Sequence, residues 1–334
     1  MGKTGKENYL TDVQGILIGH FTSLESASGV TVVLCPKGAT AGVDVRGAAP
    51  GTRETDLLAP LNLVEQVQAV VLSGGSVYGL SASDGVVRWL SEQGMGFPLP
   101  DRKAVPIVPA AVLFDLGRGK DFVPPVGPEW GRIACENAVS KYNGLGCLGA
   151  GTGAVSGAIK GGLGSASEVL ASGITVAAIV AVNSLGSVID SRTGLAWELE
   201  TEIDDEFGPI ARRRVKLPQP EPPAAAANTT IGLIATDAVL TKAQAMKIAQ
   251  MAHDGLARAI RPCHTMFDGD TIFCVATGIH DLPDTPGFFV APKAVALNDI
   301  GRSAADCMSR AIIRGIVETH SLGTAVALRD LEAF

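Results

Sequence analysis

Seven of the sixteen residues from Gly149 to Gly164 are glycine, and no other stretch restricts the fold so sharply. Backbone without Cβ atoms can turn tightly or lie directly against other backbone. Glycine is also abundant overall, 40 of 334 residues, against a usual share of ~7%. A phosphate cradle is the first functional reading of such a run. The spacing opposes it. A Walker loop needs Gly-Lys-Ser/Thr, whereas Lys160 follows Ile159 and precedes glycines. The dinucleotide fingerprint belongs between the first strand and first helix of a βαβ unit, and this run lies mid-chain. Two readings stay open: close packing of backbone on backbone, and a role for Lys160 in a site.

Around the run, β-branched segments with glycine or proline punctuation predict strands at 15–19, 30–34, 42–45, 69–72, 174–182, 229–236 and 271–276. Helices are predicted from Ser81 to Gln93, from a Thr241 cap to a stop before Pro262, and from about Ala294 to Glu318. Met246, Ala249, His253, Leu256 and Ile260 fall on one stripe of the second helix, which makes His253 a core histidine. The order is not a βαβ alternation. Grouped strands with long helices between them predict an α+β layered sandwich. Composition shifts between 201 and 228: an acidic cluster, then Arg212 to Arg214, then prolines at 218, 220, 222 and 223 and a run of four alanines read as an extended surface linker, 204–228, inside a single domain 1–334.

Composition removes several function classes. A net charge of −7 argues against nucleic-acid binding. The longest wholly apolar run, Val176 to Val182, is far short of the ~20 residues of a membrane helix, so no membrane partner is expected. Residues 1–7 have no apolar core for a secretory signal, and the expected location is the cytoplasm. Six cysteines without C-x-x-C spacing read as reduced core thiols. The five histidines lack H-E-x-x-H spacing, and no metal or other cofactor is expected. Neither Ser73 nor Ser76 sits in the Gly-x-Ser-x-Gly elbow of a serine hydrolase.

Two junctions carry chemistry. In His264-Thr265-Met266-Phe267-Asp268-Gly269-Asp270, two carboxylates flank a glycine just before a strand; taken alone, an Asp-Gly turn with solvated carboxylates is the simpler reading. At Asn228-Thr229-Thr230 the proline- and alanine-rich segment delivers hydroxyl residues to a buried strand. Thr229 Oγ could attack the Asn228 carbonyl, pass the acyl group from nitrogen to oxygen, and be freed by water. The new α-amine, of reference pKa roughly 7.7–8.0, would then serve as base for its own hydroxyl. The simpler alternative is that Asn-Thr-Thr merely opens the strand.

The chain resembles the DmpA/NylC family of self-cleaving amide hydrolases over nearly its whole length. The resemblance rests on residues 10–16, 44–54, 72–80, 149–153, 160–162, Asn183, 228–231 and 268–270 in that order. It implies a four-layer αββα sandwich like that of N-terminal-nucleophile hydrolases, cut into chains 1–228 and 229–334. It implies Thr229 as nucleophile, Asn183 as support for the oxyanion, Lys160 beside both, Asp268 and Asp270 orienting Thr229 and its amine, and Tyr78 lining the pocket. It further implies a small amide or peptide substrate, nylon-type 6-aminohexanoate oligomers among the candidates, and a homotetramer. An autoprocessing threonine acyltransferase and an uncut binding protein are the alternatives on the same scaffold.

Overall fold

The computed structural model describes residues 2–218, 228–284 and 291–333. Among these, nine strands form one sheet: β1 (Leu17–Ser23), β2 (Ser28–Val45), β3 (Gly51–Arg53), β4 (Gln66–Ser73), β5 (Ala110–Val112), β6 (Gly162–Val169), β7 (Thr175–Val182), β8 (Ile231–Ala238) and β9 (Thr271–His280). Their order is β6-β7-β8-β9-β2-β4-β5-β3, with β1 also on β2. The β8–β9 and β4–β5 pairs are parallel and the rest antiparallel. Four long helices, α1 (Ala82–Glu92), α2 (Pro128–Glu136), α3 (Lys242–Ala259) and α4 (Ala294–Val317), cover it.

Period-two alternation decides the layers. In β7, Val176, Ala178, Val180 and Val182 join a core shared with α3 and α4, while Ala177, Ile179 and Ala181 enter a second core. In β8, Ile231, Leu233 and Ala235 enter that second core and Ile234 the first. Across it, β4 contributes Val70 and Leu72, and turns Ala69 and Val71 toward a third core under α1 and α2. Three cores separate four layers, helix, sheet, sheet, helix, as the sandwich expectation requires.

The two sheet layers are joined by one strand. Residues 28–34 of β2 pair with β1 and β4, and residues 40–45 pair with β9. Between Leu34 and Ala39 the register on β4 slips, at Pro36, which has no N–H to give, and Gly38, whose φ is +79°. The predicted strands 30–34 and 42–45 are therefore a single bent strand. Helix α2 and strand β6 were not predicted. The glycine run packs backbone on backbone, one of the two readings left open for it: a Cβ on Gly161 would meet the Val182 carbonyl, and one on Gly164 the Ala311 carbonyl.

The reading of 204–228 as an extended surface linker needs correction in its first half. Phe207, Ala211 and Val215 are buried. Glu206 is drawn inward because α4 presents the buried Arg310, which pairs with it, and Asn8 adds a 2.6 Å bond to the same carboxylate. Residues 219–227 of the segment lie outside the described residues.

Candidate active site

Topology assembles the site at one end of three neighbouring strands. Ala181 of β7 pairs with Ile231 of β8, and Ile231 pairs with Thr271 of β9. The residues just beyond those pairs, Asn183, Thr229 and Asp270, consequently meet. Thr229 is 5% exposed. Its N–H donates to the Asn183 carbonyl at 2.5 Å, and its hydroxyl donates to the carbonyl of Asn228. Gly269, in the turn before β9, presses in: a Cβ there would stand 3.0 Å from Thr229 Oγ1 and 2.6 Å from the Ala49 carbonyl. The loop 46–50 is latched over this turn by Arg46 N–H on Asp270 O, at 3.0 Å, and Ala49 N–H on Asp268 O, at 2.9 Å.

Asp268 and Asp270 are buried, which overturns the solvated-turn reading. Asp268 accepts from Leu185 N–H at 3.2 Å, from Thr265 N–H at 3.0 Å and from Thr265 Oγ1 at 2.5 Å. Asp270 accepts from Thr230 N–H at 2.8 Å through one oxygen, and from His264 N–H at 2.9 Å and His264 Nδ1 at 2.8 Å through the other. Most of these donors come from His264 and Thr265, while Thr230 and Leu185 tie the carboxylates to the chain next to Thr229 and near Asn183. The carboxylates stitch three strand ends together, each buried oxygen supplied with donors.

His264 was noted in the sequence only as a neighbour of this motif. Burial lowers the basicity of its imidazole, but Asp270, with Cys263 adding to it, outweighs burial and raises the pKa to about 9. Edge-to-face against it, with centroids 4.8 Å apart, lies His253. That ring is the core histidine expected on α3; burial pushes its pKa down to about 4, and its Nε2–H donates to Asp44 O at 3.1 Å.

On the opposite side, the Asn183 amide is oriented by donors. Its Oδ1 accepts from Arg118 Nη1 at 2.5 Å and from Val155 N–H at 3.0 Å. Both neighbours can only donate here, so the oxygen must face them and Nδ2 must face away; it donates to Phe114 O at 3.2 Å. Arg118 also donates to Gly153 O at 2.7 Å. Sequence reading missed Arg118, which lies in the turn Gly117-Arg118-Gly119 with no periodicity to mark it. The tight glycines on either side are the only signal it offered.

Lys160 is 1% exposed, and its ammonium donates to the carbonyls of Gly151, Ala154 and Gly161 at 3.2, 2.9 and 2.7 Å. It was expected to sit against Thr229 and Asn183, near the two aspartates; its hydrogen bonds go instead to the glycine loop. The loop carries its influence onward through Val155 N–H and Gly153 O to Asn183 and Arg118. Desolvation lowers its pKa to about 8, with Cys147 pulling the other way. Tyr78 is half exposed, on the short 3₁₀ turn Ser76–Ser81 after β4; its recorded bonds are those of its backbone, with Gly75 O and Ser81 Oγ.

A threonine hydroxyl on the preceding peptide carbonyl, an amide oriented by an arginine and a backbone N–H, and two buried carboxylates at strand ends are the groups that acyl transfer needs. Residues 8–327 match peptidase family S58. The chain belongs to peptidase family S58. Similar proteins include an uncharacterized aminopeptidase of Mycobacterium leprae, 45% identical over 94% of this chain and 91% of that one. A 6-aminohexanoate-oligomer endohydrolase of Kocuria sp. is 30% identical over 93% of this chain and 86% of that one. Among solved structures, a Burkholderia β-aminopeptidase superposes with a TM-score of 0.71 at 22% identity, covering 96% of this chain and 89% of that one. An L-aminopeptidase D-Ala-esterase/amidase from Ochrobactrum anthropi, described as a variant of the Ntn hydrolase fold, superposes at 0.70 and 22%, covering 96% and 88%. This S58 chain accordingly has the Ntn-type α+β sandwich and belongs with peptidases and amide hydrolases. Among the described residues, no helix is long and apolar enough to cross a membrane, and no group of three His, Cys, Asp or Glu could hold a metal.

Proposed function

We propose that this protein is an amidase or aminopeptidase that first cuts itself between Asn228 and Thr229 and then works through Thr229 as an N-terminal nucleophile. The observation that carries the reading is the Thr229 hydroxyl lying on the Asn228 carbonyl, with its own N–H held by Asn183 O. In the first reaction Oγ1 adds to the Asn228 carbonyl carbon, the C–N bond breaks as the amide nitrogen takes a proton, and an ester remains. Water then hydrolyses that ester to the Asn228 carboxylate and a free hydroxyl. The liberated amine would keep the Asn183 carbonyl as its acceptor and take the hydroxyl proton during turnover. Asn183 Nδ2 is the donor nominated for the oxyanion, because the Oδ1 side is turned away by Arg118 and Val155.

For substrate we propose a small amide or peptide, with 6-aminohexanoate oligomers included because a relative 30% identical bears that name. For assembly we propose a homotetramer of cut protomers, on the strength of the family resemblance. Four buried thiols among six free cysteines support a cytoplasmic location.

Intact-mass spectrometry of fresh protein tests the first step. Two chains, 1–228 and 229–334, are expected, and Thr229→Ala should remain one chain. A wild-type preparation with full amidase activity and no chain beginning at Thr229 would defeat the reading. Screening amino-acid anilides, β-peptides and 6-aminohexanoate oligomers side by side then fixes the substrate.

A further inference from the structure

We propose that His264 is a positioning residue for self-cleavage: its ring and backbone N–H groups together clamp one oxygen of Asp270, leaving the other to hold Thr230 N–H and so aim Thr229 at Asn228. The inference rests on the threonine reading above. Its geometry is specific. Two donors of a single residue converge on Asp270 Oδ2, at 2.9 and 2.8 Å, and this requires the backbone of His264 to adopt φ +55°. Only a few per cent of non-glycine residues take that conformation, and it tends to persist where the surroundings demand it. Asp270 Oδ1 is thereby directed to Thr230, the residue next to the proposed nucleophile, at 2.8 Å.

The pocket around the ring keeps the clamp charged. His253 of α3 stacks edge-on to it and, being held neutral, cannot compete for the carboxylate. Asp44, at the end of β2, is 3.6 Å from His253 Nε2 and is paired with Arg46 at 2.8 Å. Cys263 flanks the ring on its own loop. With a folded pKa of about 9 against 6.5 unpaired, the His264 imidazolium is fully in place below pH 6.5 and is lost as pH rises through 9. A charged donor holds a carboxylate about twice as strongly as a neutral one, so the hold on Asp270 should slacken on the alkaline side.

The experiment follows self-cleavage of the full chain, synthesised cell-free and transferred rapidly into buffers from about pH 6 to about pH 10. All variants carry Cys263→Ser, which removes the neighbouring thiol from the comparison. His264→Gly accepts the left-handed backbone without strain, and should cut more slowly than the parent by about tenfold or more near neutrality. His264→Asn also tolerates that backbone and offers an amide N–H that does not titrate. It should recover most of the rate and lose the alkaline fall seen with histidine. Cleavage of His264→Gly within about twofold of the parent, or an alkaline fall that survives in His264→Asn, would overturn the proposal. If the glycine variant does not fold, the asparagine pH profile alone decides. A wild-type chain that never cuts sinks the threonine reading and this one with it. A wild type that cuts, with variants that cut equally well, sinks only the clamp.

Discussion

On one side of Thr229, Asp268 and Asp270 are supplied mainly by N–H and O–H groups from the short loop 264–265, with Leu185 and Thr230 completing the set. On the other side, Arg118 and Lys160 are supplied by carbonyls and an amide oxygen gathered from residues 151–161 and from Asn183. The first side holds a carboxylate against a cationic ring. The second buries an ammonium among neutral carbonyls, which is why desolvation brings Lys160 down to about 8 while its counterpart His264 rises to about 9. The two halves of one site should therefore fail differently: the anionic half by leaving a charge without its partner, the cationic half by loosening a loop.

The sharpest separation of the halves is functional. Replacing Asn183 by Ala removes the only group on the cationic side nominated to meet the reacting oxygen, and should slow turnover of an anilide probe by roughly 10²–10³-fold, the usual worth of one oxyanion donor. A loss under tenfold would move that role elsewhere. Next in size comes Asp270→Asn, which takes the counter-charge from His264 and lets burial drive the imidazole neutral; chemical denaturation should show about 3 kcal/mol lost, together with slow self-cleavage. Lys160→Met removes a buried charge held chiefly by three backbone carbonyls. Relief of desolvation then offsets part of the cost of unsatisfied carbonyls, so a loss of only about 1 kcal/mol is expected. If Lys160→Met proved as damaging as Asp270→Asn, the contrast between the halves would be wrong. The smallest effect near neutrality concerns two buried histidines that touch neither carboxylate. Burial lowers His20 and His253 to about 4 each, so stability present above pH 6.5 should drain away as pH falls toward 4, as a thermal melt series would record.

This asymmetry also explains what could be read from the chain. Asp268, Asp270 and Thr229 sit in short motifs ahead of apolar strands, so local sequence pointed to them. Asn183 was marked as a polar residue ending an apolar run. Arg118 was not, because its partners at Gly153 and Asn183 are 35 and 65 residues away, and nothing local announces such a meeting. Lys160 was singled out, but the carbonyls it meets were not, since residue type does not reveal which carbonyls a glycine-rich backbone will turn toward it. The strands β7, β8 and β9 were legible from their unbroken apolar character, the mark of a strand covered on both faces. The continuity of β2 was hidden by Pro36 and Gly38, which normally end a strand and here only bend one. Packing of 204–218 escaped because its three acidic residues read as solvated until α4 supplied a buried arginine.

One property of the sheet order matters for any protein nicked after Asn228. Strands β8 and β9 lie between β7 and β2, both of which precede the nick. The smaller fragment would therefore be inlaid rather than appended, zipped along each flank to the larger one. Pulling it out would require tearing two hydrogen-bonded seams and opening both inner cores at once, so the fragments should co-purify through urea concentrations that leave the fold intact and part only when it melts.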